Sequence, residues 1–427
     1  MPTPESGGTR FRRDVAWNVA SIAVLGVSGI ALNAIIARAY GAAALGVFNE
    51  VLAAYILFSQ VAVGGVNLSA LKSIAEKPED RARTTAIVVG SLVLVLALGG
   101  AVSLAYFGLR EWIARALESP GVATGMAASA VGLFFFTLNK VLLSVVNGLR
   151  RMRSFAVCTA LRYVLILAGL VVWMAHDPAR AQGDGIAFVF TFSEGILFVV
   201  LAVEVGARLA LPIGGAWKDW VAPHFVYGMK SLTSGVLLEL NAKVDVWMIG
   251  LYLSDEAVGV YAIAAMIAEG IYQLLIVLQN NCNPMLAMQI AEKDWEGLRA
   301  LVRRVRGRTY AGMAVVVAVA VALFPKAVML LTEKSGFEAA HAPFAWLALG
   351  ILFASGYVPF GQTLLMAGFP GWHSLFMIAT VAVNVIGNAI LIPRIGIVGA
   401  AVATAMSMSI SVLFLKAFVR SRVGVKI

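Results

Sequence analysis

Eight charged side chains stand inside long apolar stretches of this sequence: Lys140, Arg162, Lys230 and Lys243, with Glu194, Glu239, Asp245 and Glu269. A charge at the centre of a bilayer costs about 2.5–3.5 kcal/mol on insertion scales unless it meets a partner or water. Side chains kept at that cost are candidates for chemistry. Arg offers paired donors to phosphate oxygens, and Lys a movable point charge. A carboxylate in the same surroundings binds a cation or carries a proton.

Helical periodicity sorts these residues by face. On the stretch 224–252, Lys230, Ser234, Asn241 and Asp245 fall within about 60° of one another, which makes them the better candidates for a cavity-facing line. The alternative for Lys230, near the helix end, is to snorkel to the interface. Glu239 and Lys243 lie on the other side, four apart and acid first, so an internal ion pair is expected there. Lys140 sits midway along 122–148, sharing a face with Ser144 and Asn147, and Arg162 sits two turns into 154–175. The nearest acid in that half of the chain is Glu194. Two readings follow: either Arg162 waits for the phosphate of a substrate, or Arg162 and Glu194 neutralise one another.

Uncharged polar residues form stripes as well. Asn49, Gln60, Gly64 and Asn67 lie close to one line; Glu269, Gln273, Asn280 and Asn283 do likewise, with Ala262. Asn384 and Asn388 share a face, as do Ser355 and Gln362. A single stripe is explained by hydrogen bonding between membrane helices. Several stripes at matched positions in the two halves point to a shared aqueous cavity, with Gln60, Asn67, Asn241, Gln273 and Asn280 as binding candidates.

The elements that must carry these residues are membrane helices. The 427 residues are 60% hydrophobic and 13% charged, with a mean hydropathy of +0.88. That excludes a soluble enzyme, a disordered chain and a disulfide scaffold. Twelve stretches are long enough to cross a bilayer: 15–40, 47–72, 84–109, 122–148, 154–175, 185–207, 224–252, 258–290, 309–331, 342–368, 373–392 and 396–418. With the N-terminus placed in the cytoplasm, about 22 of the 33 Lys and Arg fall on the inner side and about 7 outside, as the positive-inside rule requires. The same count explains the net charge of +10 without nucleic acid. The first apolar segment reads as a retained helix rather than a cleaved signal. Residues 290–308, with Trp295, Leu298, Val302 and Val305 opposite Arg299, Arg303 and Arg306, read as an interfacial helix. The predicted order is a tail (1–14), a six-helix lobe (15–208), a linker (209–223), a second six-helix lobe (224–419) and a tail (420–427).

A shift of 213 residues brings Ala44, Gly46, Val47 and Phe48 onto Ala257, Gly259, Val260 and Tyr261, Gln60 onto Gln273, and Asn67 onto Asn280. Six spans separate the copies, so the halves run parallel and are related about an axis along the membrane normal, a transporter plan. No P-loop, zinc-ligand spacing or nucleophile elbow is present.

The motifs Asn18-x-x-Ser21, Ala37-Arg-Ala-Tyr-Gly-Ala-Ala-Ala-Leu-Gly-Val-Phe48, the run from Asn241 to Ala262, Asn283-Pro284 and the run from Ile392 to Ala405 resemble the Wzx-type polysaccharide-biosynthesis flippases of the multidrug/oligosaccharidyl-lipid/polysaccharide exporter superfamily. The resemblance implies an all-α membrane protein of twelve transmembrane helices in two six-helix lobes with a central cavity, working by alternating access. As substrate it implies a polyprenyl-pyrophosphate-linked oligosaccharide crossing the bacterial inner membrane, with polysaccharide polymerase and assembly proteins as partners and a monomer sufficient. It carries cationic roles onto Arg38, Lys140, Arg162 and Lys243, and ion or proton coupling, with Na+ or H+, onto Asp245 and Glu269. The competing reading is a cation-coupled multidrug exporter of the same superfamily.

Overall fold

A computed structural model describes residues 4–179, 181, 183–210, 215–333 and 336–424, without the side chains of residues 4–16, 18–20, 22, 231, 233 and 234. Arg180, Lys334, Lys426, the linker stretch 211–214 and the side chains of Arg10, Arg12, Arg13, Asn18 and Ser234 therefore lie outside the described residues. Within them the secondary structure is helical, with no strand.

In chain order the helices are α1 (Pro4–Tyr40), α2 (Ala42–Val63), α3 (Val66–Glu76), α4 (Arg81–Ala116), α5 (Pro120–Gly148), α6 (Met152–His176), α7 (Phe188–Gly206), α8 (Lys218–Tyr252), α9 (Asp255–Ala291), α10 (Trp295–Thr332), α11 (His341–Ser355), α12 (Thr363–Met366), α13 (Pro370–Ile395) and α14 (Ile397–Arg422). Local chemistry sets many of the starts. Asp80 and Asp294 accept the backbone N–H of Arg83 and Gly297 at 2.9 and 2.8 Å, capping α4 and α10. Pro120 and Pro370 occupy the first positions of α5 and α13, where no N–H is needed. Among the described residues, eleven helices are long and apolar enough to span a membrane. The stretch expected as the seventh span, α8, is not among them; its 35 residues include Lys230, Glu239, Lys243 and Asp245.

Three expectations change. The predicted span 47–72 is broken: Gly64 and Gly65 take φ of 54° and 68°, a left-handed backbone that β-carbons disfavour, and α2 ends there before α3 begins. Gln60 and Asn67 consequently lie on separate helices. The span 342–368 is broken too, by a short 3-10 turn at Val358–Phe360 containing Pro359. Ser355 and Gln362 then share no continuous helical face. Finally, 290–308 is no separate interfacial helix: it begins in the last residues of α9, and from Trp295 it is the first part of α10. Its apolar stripe is core, with Leu298 and Val302 buried with Cys282, Leu286 and Phe360.

The chain forms two compact units, Met1–Tyr40 with Glu50–Val236, and Gly41–Asn49 with Leu237–Ile427. In the first, α5 is the hub, packed on α3, α4 and α7. Small residues let it serve three neighbours. A β-carbon on Gly132 would come within 2.6 Å of the Thr191 backbone nitrogen, and one on Gly125 within 2.7 Å of Val51. The core there comprises Ile74, Ile87, Val95, Val141, Val145 and Leu197, among others. In the second unit, α11 packs on α9, α10 and α14, and α13 pairs with α14.

The start of α2 belongs to the second unit, and there the repeat becomes geometry. A β-carbon on Gly46 would strike the carbonyl of Asp255, and one on Gly259 would strike the carbonyl of Ala42. Both pairs, Gly46 with Gly259 and Ala42 with Asp255, are 213 residues apart. The contact is reciprocal, as two-fold related surfaces require.

Candidate functional site

In the first unit, helices α2, α5, α6 and α7 bring one charged cluster together. Arg162 Nε lies 2.7 Å from Glu194 Oε1, and Nη2 donates to Oε2 at 3.2 Å. Asn139 Nδ2 donates to the same Oε2 at 2.8 Å and to the Glu194 carbonyl at 2.9 Å. Glu194 is 2% exposed and Arg162 13%. Of the two readings of Arg162, the structure contains the pair. Lys140 Nζ donates to Gln60 Oε1 at 3.1 Å. Phe136 touches both cations, its ring centroid 5.6 Å from Lys140 Nζ and 4.8 Å from Arg162 Cζ. The ring is fixed edge-on by Tyr55, which stacks on Phe190 at 4.7 Å. Cation–π attraction of this kind is stronger away from water.

The second unit holds a different centre. Asp245 is 8% exposed and accepts four hydrogen bonds. Tyr261 Oη and Thr404 Oγ1 donate to Oδ2 at 2.8 and 2.6 Å; Asn384 and Asn388 donate to Oδ1 at 3.1 and 2.8 Å. Asn388 also donates to Asn384 Oδ1 at 3.2 Å, and Asn388 Oδ1 is buried with no hydrogen-bond partner. Helices α8, α9, α13 and α14 thus gather oxygens of one carboxylate, two amides and two hydroxyls. These four donors are all neutral. Four such bonds are what a buried carboxylate needs in place of water.

Lys243 has a different partner from the one expected. Its Nζ lies 3.0 Å from Glu269 Oε1 on α9, with Glu269 55% exposed. The expected Glu239–Lys243 pair is replaced by one between helices, because two helix faces meeting can satisfy a charge better than one helix surface. Gln273 and Asn280 are exposed on α9, while Asn283 Nδ2 donates to Gln362 Oε1 at 2.8 Å and Gln279 Nε2 to the Val358 carbonyl at 2.7 Å. The inner pair stitches α9 to the broken segment after α11.

The remaining candidates are placed apart. Arg38 is exposed in the last turn of α1, a favourable place for a cation on the helix dipole. Asn67 is half-buried on α3. Lys230 is exposed and belongs to the first unit, whereas Asn241 and Asp245 belong to the second. The expected line on α8 is therefore divided between the two units. Sequence reasoning noted the shared face of Asn384 and Asn388 without naming them as binding candidates, gave no binding role to Thr404 or Tyr261, and did not single out Asn139, Phe136 or the fully buried Glu50. The four-residue spacing of Asn384 and Asn388 was a visible signal; the others carried none without knowledge of which helices touch.

Comparison with known proteins follows the same lines. A glycan biosynthesis protein of Haloferax volcanii, the probable low-salt glycan biosynthesis flippase Agl15, is 25% identical over 79% of this chain and 78% of its own length. Among solved structures, the lipid II flippase MurJ in an inward closed conformation matches 95% of the chain and 87% of its own, with a TM-score of 0.73 at 13% identity. An inward-facing multidrug resistance MATE family transporter of the MOP superfamily matches 96% and 94%, with a TM-score of 0.70 at 15% identity. At those identities the structures speak for the fold. The sequence family described as polysaccharide biosynthesis protein matches residues 92–334, more than half of the chain. This multi-pass helical chain belongs to the polysaccharide biosynthesis protein family.

Proposed function

We propose that the protein is a flippase that moves a lipid-linked oligosaccharide, carried on a polyprenyl diphosphate, across the cytoplasmic membrane by alternating access. We count α8 as the twelfth span and, from the charge distribution, put both ends of the chain in the cytoplasm. The observation that carries this reading is the placement of Lys140 and Arg162 against one aromatic ring, Phe136, within apolar helices. Arg162 donates one hydrogen bond to Glu194, through Nη2, so other guanidinium donors remain for phosphate oxygens. Lys140 contacts the Gln60 amide and the Phe136 ring, and its ammonium is a point charge suited to a phosphate oxygen. Exposed polar groups on α9, Gln273 and Asn280 with Glu269, suit sugar hydroxyls. The similarity to a glycan biosynthesis flippase supports the same conclusion.

Coupling is assigned to Asp245. A hard cation such as Na+ takes oxygen ligands, and Asp245, Asn384, Asn388 and Thr404 supply them in one buried place. The orphaned Asn388 Oδ1 fits this use. Bound there, Na+ would supply the positive charge that the neutral donors lack; a proton on Asp245 would do the same. Glu269, tied to Lys243, serves less directly.

Reconstitution in liposomes tests the reading. A fluorescent polyprenyl-diphosphate oligosaccharide and a cationic dye are offered together, with imposed Na+ and proton gradients. Translocation of the lipid is expected. Export of the dye without movement of the lipid would make the protein a cation-coupled multidrug exporter instead, a function compatible with the same fold.

A further inference from the structure

Among the described residues, several cations of the second unit have no acid within ion-pair distance. After Glu338 the sequence has no Asp or Glu at all, yet it has Arg394, Lys416, Arg420, Arg422 and Lys426. Two cations of this unit converge on one tyrosine. Arg306 Nη1, on α10, donates to Tyr357 Oη at 2.9 Å. Lys416 Nζ, on α14, lies 4.2 Å from the centroid of the same ring, and Arg306 Cζ lies 5.6 Å from it. Tyr357 is 7% exposed, while both cations are half-buried. Among the described residues, neither cation has a carboxylate within ion-pair distance.

The backbone is shaped for the arrangement. Tyr357 follows the end of α11, and a β-carbon on the preceding Gly356 would lie 2.8 Å from Arg306 Cγ and collide with the Tyr310 ring. Glycine there lets both side chains cross the chain break. Two positive groups held together repel, and burying them further is costly unless an anion completes the set.

Depth identifies the anion's source. At 1.5 Å per residue, α10 is about 57 Å long, well beyond the ~30 Å hydrocarbon core. Arg306 is about 16 Å from its first residue, and Lys416 about 9 Å from the end of α14. Both stand near the same membrane boundary. An interfacial pair, Arg422 stacked 3.7 Å over Trp372, marks that level. The geometry points to a site for the phosphate of a lipid headgroup, held by Arg306, Lys416 and the Tyr357 hydroxyl. It is separate from the Lys140–Arg162 cluster and stands whether or not that cluster binds substrate.

Thermal unfolding of the delipidated full-length protein in neutral detergent tests the site. The probes are short-chain phosphatidylglycerol, short-chain phosphatidylcholine, an isoprenyl diphosphate and inorganic phosphate. At least one of phosphatidylglycerol and isoprenyl diphosphate should raise Tm well above phosphatidylcholine, and the larger shift names the source. Arg306→Gln and Lys416→Gln should each lose most of that shift, while Arg304→Gln, an exposed cation on the same helix, keeps it. Tyr357→Phe retains the ring and should lose part of the shift even where the charge variants fold poorly. An equal shift from inorganic phosphate, or full shifts in both charge variants and in Tyr357→Phe, would overturn the proposal.

Discussion

Gly46 and Gly259 lie at equivalent positions of an internal repeat, and each faces backbone that the other's helix supplies. Gly46 abuts the Asp255 carbonyl at the start of α9; Gly259 abuts the Ala42 carbonyl at the start of α2. Close approach of backbones through small residues is a recurrent way for membrane helices to associate. Here the same device occurs twice, once from each copy.

Gly46→Ala and Gly259→Ala should therefore both destabilise, by an amount typical of overpacking, about 1–3 kcal/mol. Gly100→Ala on α4 meets open space and should be neutral or mildly stabilising, since alanine favours helix by about 1 kcal/mol. Thermal unfolding of the three variants in one detergent checks the contrast. Equal Tm values would show that the helices separate freely at this contact.

Glu194→Gln leaves Arg162 without its carboxylate in a nearly buried site. Breaking a buried pair from one side costs about 3–5 kcal/mol. The double variant Arg162→Gln with Glu194→Gln should recover part of that loss, because no uncompensated charge remains. A double-mutant cycle on unfolding free energies measures the coupling.

Lys140→Gln should lower lipid-linked oligosaccharide translocation tenfold or more, equivalent to about 1.4 kcal/mol or greater. Gln60→Ala removes the amide that holds the lysine and should give a smaller loss in the same direction. Lys243→Gln frees only a half-exposed pair with Glu269 and should change translocation least. Initial rates in liposomes at matched protein density rank the three.

Asp245→Asn should abolish any rise in Tm that NaCl produces over choline chloride. Thr404→Val removes one oxygen of the same centre and should weaken it. If protons rather than Na+ occupy the site, the wild-type protein will show no difference between the two salts, and Asp245→Asn will instead remove the response of translocation to a pH gradient.

Periodicity made the side of each helix legible but not its neighbour. Lys243 and Asp245 were placed on separate faces of the stretch 224–252, and in the structure they do reach different partners: Glu269 for one, and Tyr261, Asn384, Asn388 and Thr404 for the other. Lys243 nevertheless pairs across to α9 and not along its own helix. The stripe at 295–305 has the spacing of an interfacial helix and of a buried one alike. Only the presence of Phe360 and Leu286 against it distinguishes them.

From its residues alone the chain is determined to be a helical membrane protein with a doubled plan, because apolar length and repeated small and polar residues are properties of the string itself. The choice of Glu194 for Arg162, and the gathering of Asp245 with oxygens from three other helices, belong to tertiary structure. So do the chain breaks at Gly64–Gly65 and Val358–Phe360. Burial makes each of these polar groups seek a partner, but the partner lies 32 to 159 residues away for the pairs at Arg162 and Thr404. Which groups meet over such separations is decided by how the helices pack, since no local preference reaches that far.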